Sequence, residues 1–140
     1  MRRLAVIAGL FLAAASPALA ADPVEGDWLT EPGAGKVRIA PCPGRPERLC
    51  GTLFWVKDPA EARSPDVNNP DPGLRKRPLQ GLLMLRDLKQ AASGRWTGGQ
   101  IYDPKTGKTF DSKVSANPNG TIKVEGCIMM VCQAQTWKRG

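Results

Sequence analysis

Four cysteines, a run of amide and carboxylate side chains, a cation cluster and one aromatic strand are the parts of this chain whose residue types and spacing could do chemistry. Cys42, Cys50, Cys127 and Cys132 fall into two local pairs, the first with a Pro-Gly turn between its members. An even count in an oxidising compartment predicts two disulfides; of the three connectivities four cysteines allow, Cys42–Cys50 with Cys127–Cys132 is favoured because each pair is local. A tetrathiolate zinc site is the rival, but its C-x2–4-C spacing is met at most by the second pair. Asp66, Asn68, Asn69 and Asp71 resemble the start of a calcium loop, without its glycine and distal glutamate. Asx turns account for the same side chains. Arg75, Lys76 and Arg77 would receive a carboxylate or phosphate, or, through Arg77, tie the loop to Asp66 or Asp71; a solvated basic turn is the plainer reading.

The chain has no histidine, which removes the commonest general base and metal ligand. It has no Gly-x-Ser-x-Gly, no lone cysteine and no paired carboxylates at motif spacing. Only a carboxylate pair assembled by the fold, such as Asp103 with Asp111, would serve an enzyme. No catalytic residue, cofactor or metal is expected.

These residues must be positioned by strands. Glu25–Thr30 reads as the first, with Gly26 beside Trp28 suggesting a close crossing under a large ring. Lys36–Ala40 alternates as the second. A turn spans Pro41–Glu47, and a third strand runs from Leu49 to Lys57, with Leu53 and Trp55 on one face and Thr52, Phe54 and Val56 on the other. Asp58–Gln80 carries five prolines, a density that excludes a helix or a central strand. Such a long loop is a functional lid or contact segment, ordered if its Asx side chains bond locally. Gly81–Leu88 is a fourth strand, apolar on both faces, with a helical turn over Asp87–Ala92. Arg95–Tyr102 is the fifth. Asp103–Gly107 is a hairpin loop with Gly107 at positive φ. Lys108–Ala116, Thr121–Cys127 and Val131–Lys138 complete eight strands, with Asn117–Gly120 as a hairpin turn. The predicted fold is all-β: a single antiparallel eight-stranded up-and-down barrel with a long proline-rich loop between strands three and four. A two-sheet sandwich is the alternative.

Arg2-Arg3, the apolar run Leu4–Ala15 and Ala18-Leu19-Ala20 read as a secretory signal peptide cleaved before Ala21. The run is shorter than the ~20 residues of a spanning helix, so no transmembrane segment is expected after cleavage. Without Arg2 and Arg3, 18 of the 20 basic side chains remain against 13 acidic ones. They are scattered along the chain, which favours a solubilising surface over a nucleic-acid partner. The expected location is the periplasm or the exterior.

The series Cys42…Cys50-Gly51, Asn69-Pro70-Asp71-Pro72…Arg77-Pro78-Leu79…Gly81, Trp96–Pro104…Gly107-Lys108 and Gly126-Cys127…Cys132…Gln135-Thr136-Trp137 resembles a family of exported bacterial proteins, domain of unknown function 2147. The resemblance implies a small barrel of the calycin or lipocalin group and no known activity. Gly26-x-Trp28 is similar to the lipocalin opening motif, and Arg139, after Trp137, would stack on Trp28 where the barrel closes.

The expected function is therefore binding of a small apolar or amphiphilic molecule. The candidate ligand-binding residues are Trp55, Asn69, Arg75, Arg77, Trp96 and Tyr102. Gly26, Trp28, Gly98, Gly99, Asp103, Gly107, Trp137 and Arg139 are expected to be structural, with Gly98-Gly99 bending a strand. The alternative is a filled barrel that meets a protein partner through loop 58–80.

Overall fold

The computed structural model describes residues 9–13 and 21–140. The expected signal peptide therefore lies mostly outside the described residues; positions 9–13 carry no regular secondary structure. The strands are β1 (Gly26–Leu29), β2 (Gly35–Cys42), β3 (Arg45–Val56), β4 (Leu83–Ala92), β5 (Arg95–Asp103), β6 (Lys108–Ala116), β7 (Ile122–Ile128) and β8 (Val131–Arg139). Each pairs antiparallel with the next, and β1 returns to β8, giving a closed eight-stranded barrel. Closure is short, since only Trp28 and Leu29 meet Arg139 and Lys138.

One end of the barrel, here called lower, carries the chain start and the β2–β3, β4–β5 and β6–β7 turns. The upper end carries the other connections. Alternation sends Trp96, Val114 and Val124 inward along one cross-strand row, and Ala116, Ile122 and Trp137 along the next. With Val24, Trp28, Ile39, Leu49 and Leu88 they fill the lower half; Trp28 and Trp137 are fully buried. Burying one such side chain contributes roughly 1.5–3 kcal/mol, so this floor is the main source of stability.

The floor is sealed by polar contacts from the chain start. The Trp28 indole donates to the Val24 carbonyl at 2.8 Å. The Arg139 guanidinium lies 4.0 Å over the Trp28 ring and donates to the Pro23 and Glu25 carbonyls. Gly26, at φ 128°, leaves the space that Arg139 occupies. Asp22 accepts from the Val24 and Gly94 amides, the Trp96 indole and the Gln90 amide. Burial alone would push its carboxyl up; those hydrogen bonds outweigh burial and hold it below the usual range.

Bulges correct several expected boundaries and faces. The β2–β3 turn is Pro43-Gly44 rather than Pro41–Glu47, because the strands continue past the Cys42–Cys50 bridge to pair Cys42 with Arg45. Lys36 pairs with Trp55 but Val37 with Leu53, so Phe54 is an extra residue. That residue breaks the alternation and separates Leu53, packed on the core, from Trp55 outside. On β4, Asp87 at φ 54° sits between Leu85 and Leu88, and both leucines point inward. Strand β4 then runs on to Ala92 where a helical turn was expected, while Leu83 is exposed. Gly98 at φ 66° and the register shift from Trp96 to Gly99 mark the expected bend of β5. A Cβ on Gly99 would lie 2.6 Å from the Arg86 carbonyl and 2.7 Å from Leu88.

Candidate functional site

Loop 58–80 is ordered by its own side chains. A helix was excluded here by proline content, yet α1 (Pro59–Arg63) forms, because Pro59 sits at the first turn where no amide donor is needed. Asp58 caps it by accepting from the Ala60 amide. A 3-10 turn at Pro72–Leu74 is capped by Asp71 in the same way. Two of the four residues considered for calcium are thus engaged in Asx turns: Asp71 accepts from the Gly73 amide, and Asn69 accepts from the Asp71 amide.

The loop is held to the barrel by a buried cluster. Asp66 is 1 % exposed. One of its carboxylate oxygens accepts from the Tyr102 hydroxyl at 2.7 Å, the other from the Asn69 side-chain amide at 2.9 Å. Arg75 donates through Nε to the Asn69 carbonyl at 2.7 Å. The Asp66 amide donates to the Arg77 carbonyl beside the Pro65–Pro78 bridge, which closes the loop on itself. Asn68 donates to the Pro104 and Lys105 carbonyls, and its backbone occupies the place a Gly107 side chain would need; Gly107 has φ 71°. The expected Arg77 salt bridge to Asp66 or Asp71 does not occur among the described residues: Asp66 is turned to Tyr102 and Asn69, and Asp71 to Gly73. Arg77 instead borders a small recess with Pro78, Gln80, Gly81 and Leu82.

Burial, the Asp66 hydrogen bond and the Asp66 charge push the Tyr102 phenol up to about 12. It is the one tyrosine of the chain, so phenolate absorbance reads this group alone. The folded value lies above the ordinary one. The stability it contributes is thus present below about pH 10 and lost as pH rises through about 12. The alkaline titration of the native protein should have its midpoint near 12 and fall towards 10 in Asp66→Ala. A wild-type midpoint near 10 would contradict the clasp.

The six candidate ligand residues divide as follows. Tyr102, Asn69 and Arg75 come together, but as the loop clasp on the outer wall: Tyr102 alternates with inward Ile101 on β5. Trp96 faces inward but is sealed in the floor, its indole bound to Asp22 at 3.0 Å. Trp55 is on the outside with the Lys36 ammonium 5.2 Å from its ring. Arg77 stands apart at its recess. None of the six lines an accessible part of the barrel interior.

The inward side chains that keep solvent exposure lie in the upper half. Ile101 and Phe110 pair there and face inward with Leu53; all three are only half-buried. Gln133 and Gln135 face inward on β8 and are exposed, since β1 ends at Leu29 and leaves the wall beside them open. Gly99, Ser112 and Gly126 make the level below, and a Cβ on Gly126 would touch Ile101 and Phe110. The result is a small-residue ledge over the tryptophan floor, ringed by apolar side chains and two amides. Phe110 belonged to an alternating face legible in sequence; the glutamines had no such signal.

An open groove of about 700 Å³ lies on the outer wall between Arg48, Gln100, Asp111, Lys113, Met129, Met130 and the Cys127–Cys132 bridge. Register places its strand residues opposite the interior residues. Its lining mixes the charged side chains of Arg48, Asp87, Asp111 and Lys113 with the apolar Met129 and Met130, so it offers contacts to polar and apolar groups alike. Asp103 accepts from the Lys105 amide and the Thr106 hydroxyl within its hairpin, so it is not turned towards Asp111.

The sequence pattern of a bacterial family described as "Uncharacterized protein conserved in bacteria (DUF2147)" matches residues 26–139. Among solved structures, protein HP1028 from the human pathogen Helicobacter pylori, which belongs to the lipocalin family, is similar. It shares 24% identity over 84% of this chain and 82% of that one, with a TM-score of 0.73. That likeness shows the lipocalin-like fold. No curated protein matches the chain.

Proposed function

The chain belongs to the bacterial family DUF2147, and from that premise we propose that it is an exported barrel which holds a small apolar or amphiphilic molecule in its half-open upper end. The observation that carries this is the contrast within one barrel. Below, inward side chains are sealed; above, Leu53, Ile101 and Phe110 remain half-buried beside exposed Gln133 and Gln135. Eight-stranded barrels of this kind hold one small ligand when they are not filled by their own side chains. Apolar atoms at the ring would take a hydrocarbon portion, and the two amides would take a polar group at the open seam. Export is supported by the leader-like residues 1–20 and by two disulfides. Clasped loop 58–80 lies on the outer wall and does not enter this site.

Titration with an environment-sensitive fatty-acyl probe tests the assignment. Phe110→Gln should weaken uptake roughly tenfold or more, since burying a phenylalanine contributes ~1.5–3 kcal/mol and 1.4 kcal/mol is tenfold. Trp55→Ala, on the outer wall, should leave it unchanged. Binding that survives Phe110→Gln and is lost in Gln100→Glu with Lys113→Ala would move the site to the outer groove.

A further inference from the structure

Strand β8 is covered on one side only. Beyond Lys138 and Leu29, nothing among the described residues pairs with the β1 side of Val131–Gln135, and every residue from Val131 to Thr136 is exposed. The direction of its main-chain groups follows from two contacts. The Thr136 amide donates to the Glu31 carboxylate rather than to β7. Cys132 faces Cys127 with Cα atoms 4.1 Å apart, the spacing of a non-hydrogen-bonded pair. Cys132, Ala134 and Thr136 thus turn their N–H and C=O groups to the open side. Glu31 serves Thr136; Cys132 and Ala134 have nothing there among the described residues.

Exposed edges are normally protected by lysine, proline or a bulge. None is present here: the β7–β8 register is regular, and no residue from Cys127 to Trp137 is charged, in a chain of net charge +7. The hairpin above is also apolar, with Ile128 62%, Met129 92%, Met130 96% and Val131 74% exposed.

We propose that this edge pairs with the same edge of a second copy, as an antiparallel β8–β8 seam about a two-fold axis at Gln133. In that register Cys132 exchanges both hydrogen bonds with Ala134 of the other copy, and the reverse. Gln133 meets Gln133, and Val131 meets Gln135, so inward-facing residues pair with inward-facing ones. The uncharged stretch lets two like-charged molecules approach along this edge. A lipid surface would also take the apolar tip, but hydrocarbon offers nothing to the aligned amides and carbonyls. The strand edge is what selects a protein partner, and its self-complementarity is what selects a copy.

Light scattering on the purified protein should give twice the chain mass. Ala134→Pro should halve it with an unchanged circular dichroism spectrum, because the Ala134 amide bonds nothing within the barrel. Gln133→Cys, at the axis, should form a disulfide-linked dimer on oxidation, and Gln135→Cys should not. A single-chain mass for the wild type, with or without flotation on phosphatidylglycerol vesicles, would overturn the proposal. So would a dimer indifferent to Ala134→Pro. The readout is mass, so the result stands independently of whether the barrel holds a ligand.

Discussion

Trp28→Ala should be the most damaging single substitution, costing about 3–5 kcal/mol. Against a domain total of ~5–15 kcal/mol this is a large share. Several effects act in the same direction. A side chain only 1% exposed leaves a void among Val24, Val37 and Trp137 that a closed barrel cannot collapse to fill. The Val24 carbonyl loses its indole donor. Arg139 loses the ring beneath it, a stack worth roughly 0.5–2 kcal/mol, and with it part of the β1–β8 closure. Arg139→Ala, which keeps the indole in place, should cost less, about 1–3 kcal/mol. Thermal unfolding should show a drop of roughly 10–25 °C for Trp28→Ala and a smaller one for Arg139→Ala. The reverse order would mean that closure is held by the cation and not by the packed floor.

Asp66→Ala should come second, costing about 2–4 kcal/mol through two buried donors left without an acceptor. The Tyr102 hydroxyl and the Asn69 amide both point at that carboxylate, and Asn69 in turn positions the carbonyl that Arg75 grips. Its loss should also be local. Loop 58–80 has few apolar contacts to the barrel, so its amides should exchange with solvent much faster while those of β5 and β6 keep their protection. Tyr102→Phe, which removes one donor and leaves Asn69 paired, should cost less than half as much. Uniform loss of protection over the whole barrel would mean that the clasp is part of the folding core rather than an anchor for one loop.

The strand order, both cystine pairings, the closed barrel and the stacking of Arg139 on Trp28 were all legible in the chain. The first three follow from alternation, turn residues and cysteine spacing, whereas the stacking came from the resemblance of Gly26-x-Trp28 to the lipocalin opening motif. The bulges were not legible. Phe54 and Asp87 look like ordinary strand residues, and only tertiary pairing shows that each is an extra one. One unseen residue was enough to separate Trp55, on the outer wall, from Leu53, with which alternation had placed it on one face. The helix at Pro59–Arg63 is hidden by the proline density of the loop, although a proline at a first turn is compatible with a helix. Where the ligand candidates sit was hidden for a related reason. Tyr102 belongs to a separate stretch of sequence from Asn69 and Arg75, and only the folded loop brings the three together, where its polar residues serve its own contacts first. The open interior depends on where β1 stops, and the length of a strand against its partner is not a local property.

The most direct test of the central claim is native mass spectrometry of the protein purified gently from its own compartment, before and after organic extraction. A discrete added mass that extraction removes, and that Phe110→Gln prevents from being acquired, is the predicted result. A bare chain mass in the unextracted sample, combined with no uptake of the acyl probe, would contradict it and leave the barrel as a scaffold for its surfaces.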